Sequence, residues 1–222
     1  MELELSSRYT GLMNNFHEYS FHVLGCGAIG SSAAIQLARS GATKFFLYDM
    51  DKVETVNIGV SQYDSRHVGC KKVDALEEII TQINRDVEIS TVHGEFKEYW
   101  YNGEKDIAIL GFDTMNVRME AVKILCANKQ KPMCIIDGRM GAEHYQQYLI
   151  SKPDITKYEK IWYSDEDMST DPCNAKATSY CSNMSGSFIS NSIKNLVMKQ
   201  PYFKQIIFNF STLILDKKNL IS

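Results

Sequence analysis

The sequence predicts an α/β fold with a mainly parallel sheet, and three observations support this prediction. Short β-branched or aromatic runs alternate with helical patterns over residues 21–110, which is typical of strand–helix–strand units. The run Asp106–Leu110 is continuously apolar after its initial acid, as expected of a parallel strand that is buried on both faces. A glycine-rich turn, Gly25–Gly30, joins an apolar strand to a helix-like segment.

The remaining elements follow in order along the chain. Apolar residues at spacings of three and four predict helices, and short apolar or alternating runs predict strands. We expect helices over residues 31–40, 73–83, 117–128 and 185–198. We expect strands over residues 21–24, 45–48, 88–93, 106–110, 133–136, 145–150 and 206–215.

One long polar stretch interrupts this order. Residues 152–175 contain a cluster of acids between residues 165 and 171. Loops of this length are uncommon unless they are functional or disordered, so we expect a mobile crossover loop here. The chain has 222 residues and shows no internal repeat or low-complexity linker, which indicates a single domain over residues 1–222.

Composition and charge argue against several classes of protein. The net charge of −3 disfavours a general nucleic-acid binder, which would need a basic face. No apolar run approaches the roughly 20 residues needed to span a bilayer, and Met1–Leu5 carries acids where a signal peptide would carry basic residues. We therefore expect a cytoplasmic protein with no nucleic-acid or membrane partner. The six cysteines include no Cys-x-x-Cys pair, so neither a disulfide framework nor a zinc site is expected.

The glycine turn indicates a nucleotide site. Glycines let the backbone approach a phosphate closely, and the N-terminus of the following helix offers free N–H groups and a positive dipole end. Asp49 lies roughly 20 residues beyond the turn, at the end of the second predicted strand, where an acid can accept hydrogen bonds from ribose hydroxyls. Both NAD and ATP sites use such an acid, so these residues leave the choice of nucleotide open.

The residues after Asp49 discriminate between these nucleotides. The segment Asp51–Asn57 reads Asp-Lys-Val-Glu-Thr-Val-Asn, Gln62 follows, and Val68–Lys72 reads Val-Gly-Cys-Lys-Lys. After the strand that ends at residue 110, Asp113–Arg118 reads Asp-Thr-Met-Asn-Val-Arg. These motifs resemble those of the ThiF/MoeB/HesA (E1-like) adenylyltransferase family.

The resemblance extends from about residue 8 to about residue 200, and residues 136–141 and 171–178 resemble segments of phage and bacterial ThiF-like proteins. It implies a Rossmann-like adenylation fold, with a mainly parallel sheet and added antiparallel strands. It also implies a compact bacterial or phage enzyme that uses ATP and Mg²⁺. The implied substrate is the C-terminal carboxylate of a small ubiquitin-like or sulfur-carrier protein with a free C-terminal Gly, and the implied assembly is a homodimer.

The resemblance further implies roles for individual residues. Lys72 would hold phosphates and Asp113 would hold Mg²⁺, since an ammonium and a metal ion neutralise charge that develops on phosphates. Two alternatives stay open: Lys72 is a solvated lysine at a helix start, or Asp113 merely caps the helix near Asn116. The residues implied to form the nucleotide pocket are Gly25, Gly27, Ala28, Ile29, Gly30, Asp49, Asp51, Asn57, Gln62 and Lys72.

The chain departs from the family pattern at two arginines. Residues 57–62 read Asn-Ile-Gly-Val-Ser-Gln, without the arginine that usually precedes the pocket Gln. The family's N-terminal Arg-Tyr-x-Arg becomes Arg-Tyr-Thr-Gly over residues 8–11, so Arg8 remains as a catalytic candidate and the second arginine is lost. The candidate cations for the triphosphate are therefore Arg8, Arg66, Lys71 and Arg139.

Cys173 is the candidate nucleophile, in the polar stretch before the last helix. A thiolate there could attack an acyl-adenylate and retain the acyl group as a thioester. Lys176 would lower the pKa of the thiol if a helix begins nearby. The alternative is a structural cysteine packed against the core, which is also the role we expect for Cys181.

Three functions are consistent with these patterns. The leading hypothesis is an E1-like adenylyltransferase. The two lost arginines support a non-catalytic E1-like subunit that binds a nucleotide or a partner. The glycine turn and Asp49 also permit an NAD-dependent oxidoreductase, which would leave Val68–Lys72 and Asp113 unexplained.

Overall fold

The computed structural model describes residue 12 and residues 15–127, 129–164 and 177–219. Its centre is an eight-stranded sheet. In chain order the strands are β1 (Ser20–Leu24), β2 (Lys44–Asp49), β3 (Glu88–His93), β4 (Asp106–Leu110), β5 (Cys134–Gly141), β6 (His144–Ser151), β7 (Gln205–Asn209) and β8 (Ile214–Lys218). Across the sheet their order is β3-β2-β1-β4-β5-β6-β7-β8. The pairs up to β5 are parallel and those from β5 to β8 are antiparallel, which confirms the predicted fold class.

Helices cover both faces of this sheet. The described residues form five α-helices: α1 (Ala28–Arg39), α2 (Lys72–Ile83), α3 (Met115–Ala127), α4 (Ile155–Glu159) and α5 (Ser179–Val197). Residues of α1, α2 and α5 share one hydrophobic core, and residues of α3 and α4 share the other. Ile107 and Ile109 of β4 enter the first core and Ala108 and Leu110 enter the second, because successive strand side chains point to opposite faces.

Small residues bring α5 close to α1. A Cβ atom on Gly186 would lie 2.6 Å from the backbone of Ser32, so only glycine fits at this crossing. The Ser182 hydroxyl donates to the carbonyl oxygen of Ala28 at 2.9 Å, and the Ser32 hydroxyl donates to that of Asn183 at 3.3 Å. These contacts fix the first turn of α1 against α5.

The structure corrects the predicted elements at helix starts and in the last strand. α1 and α5 begin at Ala28 and Ser179, ahead of the predicted residues 31 and 185. The predicted strand over residues 206–215 is instead the hairpin of β7 and β8. The Asn209 side chain accepts hydrogen bonds from the N–H and the hydroxyl of Thr212 at 3.0 and 3.2 Å. This Asn-centred turn reverses a run whose alternation had predicted one strand.

The predicted loop over residues 152–175 contains α4 in its described part. The Asp154 side chain accepts a hydrogen bond from the N–H of Thr156 at 2.9 Å, which caps the helix start. Residues 165–176 lie outside the described residues, so the prediction of a mobile loop is untested there. No described helix is both long enough and apolar enough to cross a membrane.

Replacing Gly186 with alanine should destabilise the protein. The added methyl group would overlap the Ser32 backbone, and overpacking of this kind costs about 1–3 kcal/mol. That cost exceeds the gain of up to about 1 kcal/mol that alanine brings to a helix interior. Thermal unfolding should show a lower Tm for Gly186→Ala than for Ser187→Ala, an exposed neighbour on the same helix. Equal or higher stability of Gly186→Ala would contradict the packing described here.

Candidate functional site

The site lies where the direction of strand addition reverses. β1 is flanked by β2 on one side and β4 on the other, and the loops that leave β1 and β4 meet at their carboxyl ends. A Cβ atom on Gly25 would lie 2.8 Å from the backbone of Gly111, and Gly25 has a φ of +91°. Both constraints require glycine. In open α/β sheets, such a switch point is where ligands bind.

A cleft with a volume of about 1190 Å³ opens at this point, slightly larger than the roughly 300–1,000 Å³ of typical small-molecule sites. Its walls come from the glycine turn, the end of β2, the start of α3 and the β5–β6 hairpin. Eight of the residues predicted for the site line this cleft: Gly25, Gly27, Ala28, Ile29, Asp49, Asp51, Lys72 and Asp113.

The first turn of α1 offers backbone donors to the cleft. Gly27 precedes the helix and has no capping side chain, so the leading N–H groups of α1 are available to a ligand. A Cβ atom on Gly27 would meet nothing within 4 Å, which leaves open space for a phosphate beside these amides. The predicted phosphate-binding role of the glycine turn fits this geometry.

Asp49 joins the end of β2 to the glycine turn. One carboxylate oxygen accepts a hydrogen bond from the N–H of Cys26 at 2.7 Å, and the other accepts from the N–H of Asp51 at 2.8 Å. Burial raises the pKa of this carboxyl, and the positive charge of Lys72, which acts to lower the pKa, only partly offsets this effect. Each oxygen keeps lone-pair capacity for a ribose hydroxyl.

Two backbone hydrogen bonds place Lys72 close to the end of β2. The N–H of Val53 donates to the carbonyl oxygen of Cys70 at 2.8 Å, and the N–H of Lys72 donates to the carbonyl oxygen of Asp51 at 3.0 Å. The Lys72 ammonium then donates to the Asp51 carboxylate at 2.7 Å. Burial disfavours the ammonium, but the hydrogen bond to Asp51 and the charge of Asp49 outweigh burial and raise the pKa of Lys72.

Lys72 is 9% exposed, so it is not the solvated lysine of the alternative interpretation. An ammonium has three donors, and within the described part of the chain Asp51 takes one of them. The remaining donors can reach a phosphate in the cleft that Lys72 lines.

Three residues predicted for the pocket lie outside its lining. A Cβ atom on Gly30 would lie 1.9 Å from the carbonyl oxygen of Gly25, so Gly30 packs α1 against the turn. The Asn57 side chain accepts a hydrogen bond from the N–H of Glu54 at 2.8 Å. The Gln62 amide donates to Asn183 at 2.6 Å. In this structure, Asn57 and Gln62 stabilise the loop after β2 and its contact with α5.

Asp113 is exposed at the mouth of the cleft. It has no hydrogen-bond or ion-pair partner among the described residues, and the hydroxyl of Thr114 accepts from the N–H of Val117 at 3.4 Å. The capping alternative for Asp113 is therefore not observed. A single open carboxylate suits Mg²⁺, which binds through one or two carboxylates together with phosphates and water. The described residues contain no group of three or more potential metal-ligating side chains.

Local sequence patterns do not predict a buried ionic group in the wall of the cleft, which we call the arginine–aspartate cluster (Arg118, Asp137 and Arg139); both arginines line the cleft. Arg139 donates to Asp137 through Nε at 2.9 Å and Nη2 at 2.7 Å, and Arg118 donates to the other carboxylate oxygen. Burial would raise the pKa of Asp137, but the two arginines outweigh it and lower that pKa. Two opposite charges two residues apart in the buried strand β5 were the available sequence signal.

The four candidate cations differ in their position relative to the cleft. Arg139 lines the cleft. Arg66 is exposed and pairs with Asp64 at 2.6 Å, outside the cleft lining. Lys71 also lies outside that lining, with its ammonium 4.0 Å from Asp74. Arg8 falls outside the described residues.

Of the two cysteines considered in the sequence, only Cys181 is described. It is fully buried on α5, and burial raises its pKa to about 11, as expected of a structural thiol. Cys173 lies outside the described residues, so its proposed nucleophilic role is untested by this geometry.

The fold and the site together define a doubly wound α/β domain with a nucleotide-type cleft. Comparison with known proteins agrees with this class. The chain belongs to the ThiF family, whose family model matches residues 5–219. The resemblance inferred from the sequence motifs is thereby confirmed.

Related proteins match part of the chain at moderate identity. Ubiquitin-like modifier-activating enzyme 5 of Bombyx mori is 38% identical over 82 residues, which cover 36% of this chain and 21% of that protein. The protein of the same name in Branchiostoma floridae is 34% identical over 84 residues, which cover 36% of this chain and 21% of that protein. The match therefore spans about one fifth of the length of these relatives.

Solved structures share the fold over most of the chain. E. coli MccB with ATP superposes with a TM-score of 0.70 at 18% identity, covering 92% of this chain and 64% of that chain. MccB, the microcin C7 biosynthetic enzyme, in complex with N-formylated MccA gives a TM-score of 0.72 at 17% identity, covering 97% and 68%. At these identities the likeness establishes the shared Rossmann-like adenylation fold.

Replacing Lys72 with glutamine should weaken ATP binding. A hydrogen bond from a charged group contributes about 1.5–3 kcal/mol, so the Kd should rise about tenfold or more. Lys71→Gln is the matched control, since it removes the same charge from the adjacent residue outside the cleft lining. Titration calorimetry should give near wild-type affinity for Lys71→Gln. Equal affinities in both folded variants would contradict the phosphate-binding role of Lys72.

Proposed function

We propose that this chain is an ATP-dependent adenylyltransferase. Its acyl substrate in this proposal is the C-terminal carboxylate of a small ubiquitin-like or sulfur-carrier protein that ends in a free Gly. The principal supporting observation is that Asp49, Lys72 and Asp113 border one cleft beside the N-terminus of α1. A hydride-transfer site would require neither a buried lysine nor an open carboxylate at these positions.

The geometry suggests a division of labour among these groups. Asp49 accepts hydrogen bonds from ribose, and the first amides of α1 together with Lys72 hold the phosphates. Asp113 would hold Mg²⁺, which supplies neutralising charge when bound. In the reaction, a carboxylate oxygen of the partner forms a bond to the α-phosphorus of ATP while the bond to pyrophosphate breaks. The products are an acyl-adenylate and pyrophosphate.

The lining of the cleft is consistent with a protein tail as the second substrate. Beyond the nucleotide part, its wall is formed by Met140, Gly141, His144 and Gln146 of the β5–β6 hairpin and by Tyr163. An extended C-terminal tail ending in glycine would occupy little space beside this wall, since glycine adds no side chain. The relatives named for activating ubiquitin-like modifiers are consistent with this choice of partner.

Further parts of the proposal concern the acyl product and the setting. Cys173 would take the acyl group when its thiolate attacks the acyl-adenylate carbonyl and AMP leaves. The free cysteines of the described residues suit a reducing cytoplasm. We also propose a homodimer, as the family resemblance implies, and light scattering of the purified protein tests it.

A specific observation favours a second candidate, a non-catalytic subunit that binds a nucleotide or partner. The arginine expected before Gln62 is absent, and neither Arg66 nor Lys71 lines the cleft. Apart from Lys72, the described cations that line the cleft are Arg118 and Arg139, and both already pair with Asp137. ATP binding without turnover, in the presence of every tested partner, would favour this second function.

ATP–pyrophosphate exchange tests the proposed activity. We expect exchange only with a partner that has a free C-terminal carboxylate, so each ubiquitin-fold protein ending in Gly-Gly should be paired with its C-terminally amidated form. Asp113→Ala should reduce exchange about 100-fold or more, because charge stabilisation of the transition state is lost. Asp216→Ala, which removes an exposed acid on β8, should retain the wild-type rate.

Two results would contradict this proposal. The first is exchange that proceeds equally with free and amidated partners. The second is exchange that is unchanged in Asp113→Ala, since the metal role of that residue would then be wrong.

A further inference from the structure

Arg118 holds the loop that carries Asp113. Its guanidinium lies on α3 and is buried. Nη2 donates to the carbonyl oxygen of Phe112, and Nη1 donates to that of Leu110 at 3.4 Å. Phe112 immediately precedes Asp113 in the chain. The position of the Asp113 backbone is therefore tied directly to the Arg118 side chain.

The anchor for Arg118 is the carboxylate of Asp137. Asp137 is 0% exposed, and it accepts from Arg118, from Arg139 and from the Tyr158 hydroxyl at 3.0 Å. Such a buried carboxylate is held rigidly because every alternative position would leave charges unpaired. Arg139 is itself fixed, since its Nη1 donates to the carbonyl oxygen of Ile161 at 2.8 Å.

We propose that Arg118 is a positioning residue that fixes Asp113 for metal binding, by linking the Phe112 carbonyl to the buried carboxylate of Asp137. This inference rests on the proposed function, because it takes Asp113 as the Mg²⁺ ligand. Partners of this kind, which orient a metal ligand without touching the metal, commonly change metal affinity about 10–100-fold when they are lost.

The chemistry of the arginine side chain explains why this residue type is needed. A guanidinium presents several donors in a planar fork, so it can bond a carboxylate and two carbonyl groups at once. A lysine ammonium could retain the pairing with Asp137 but has no rigid fork with which to reach Phe112 as well. The role of Arg118 therefore depends on the geometry of its guanidinium as well as on its charge.

The test compares the metal dependence of ATP binding in two variants on one helix. Arg118→Gln removes the link and leaves Asp137 paired with Arg139. Lys123→Gln is the matched control, because Lys123 is an exposed cation of α3 that pairs only with Glu120 among the described residues. For each folded protein, calorimetry gives the Kd of ATP with excess Mg²⁺ and with EDTA. We call the Kd with EDTA divided by the Kd with Mg²⁺ the metal advantage.

We expect Arg118→Gln to reduce the metal advantage about tenfold or more while the Kd in EDTA changes little. Lys123→Gln should keep the wild-type ratio. A wild-type ratio in folded Arg118→Gln would overturn this inference and leave the proposed function standing. A wild-type protein that binds ATP with no metal advantage would overturn this inference together with the metal role proposed for Asp113, since no Mg²⁺ ligand would then need positioning.

A second variant and a second readout protect the test against loss of folding. If Arg118→Gln does not fold, Arg118→Lys keeps the buried charge pair and should still lose most of the metal advantage. Hydrogen exchange of the ligand-free proteins should show faster exchange at Phe112 and Asp113 in the Arg118 variants than in Lys123→Gln. Unchanged exchange there, together with an unchanged metal advantage, would refute the positioning role.

Discussion

The close approach of Gly25 to Gly111 is the constraint on which the site depends. It lets the loops that leave two adjacent parallel strands meet at one edge of the sheet, with no side chain between them. The glycine turn then presents the start of α1 to the cleft, and the loop after β4 presents Asp113 to the same cleft. A larger residue at either glycine would separate the amides proposed for phosphate from the carboxylate proposed for the metal.

Around that contact, hydrogen bonds and ion pairs hold the charged side chains in place. Asp49 is fixed by two backbone donors, and the Lys72 ammonium is held by Asp51. In the wall of the cleft, the arginine–aspartate cluster ties the Asp113 loop to β5. Preorganised groups of this kind favour charge that develops during a reaction, because little reorganisation is needed at that moment. Among the described residues, the cations that line the cleft are Lys72, Arg118 and Arg139, and each already pairs with a carboxylate.

Much of the fold could be predicted from the sequence because its signals are local. β3 and β4 have the predicted bounds, since continuous or alternating apolar runs mark them directly. The last hairpin was predicted as one strand because its turn depends on the Asn209 side chain, and the apolar alternation continues across it. The start of α5 was missed because residues 179–184 read Ser-Tyr-Cys-Ser-Asn-Met, and most of these residue types have only weak helix propensity.

Local motifs in the sequence name several residues that line the cleft, whereas contacts between distant parts of the chain leave no local motif. Asp49, Lys72 and Asp113 all line the cleft. Asn57 and Gln62 bond within their own loop or to α5, and the partnership of Arg118 with Asp137 joins elements that are distant in sequence. A structure of the protein with Mg²⁺ and a non-hydrolysable ATP analogue tests the central claim most directly. We predict phosphates at the first amides of α1 and at the Lys72 ammonium, with the metal beside Asp113. A nucleotide bound outside this cleft, or a metal without contact to Asp113, would contradict it.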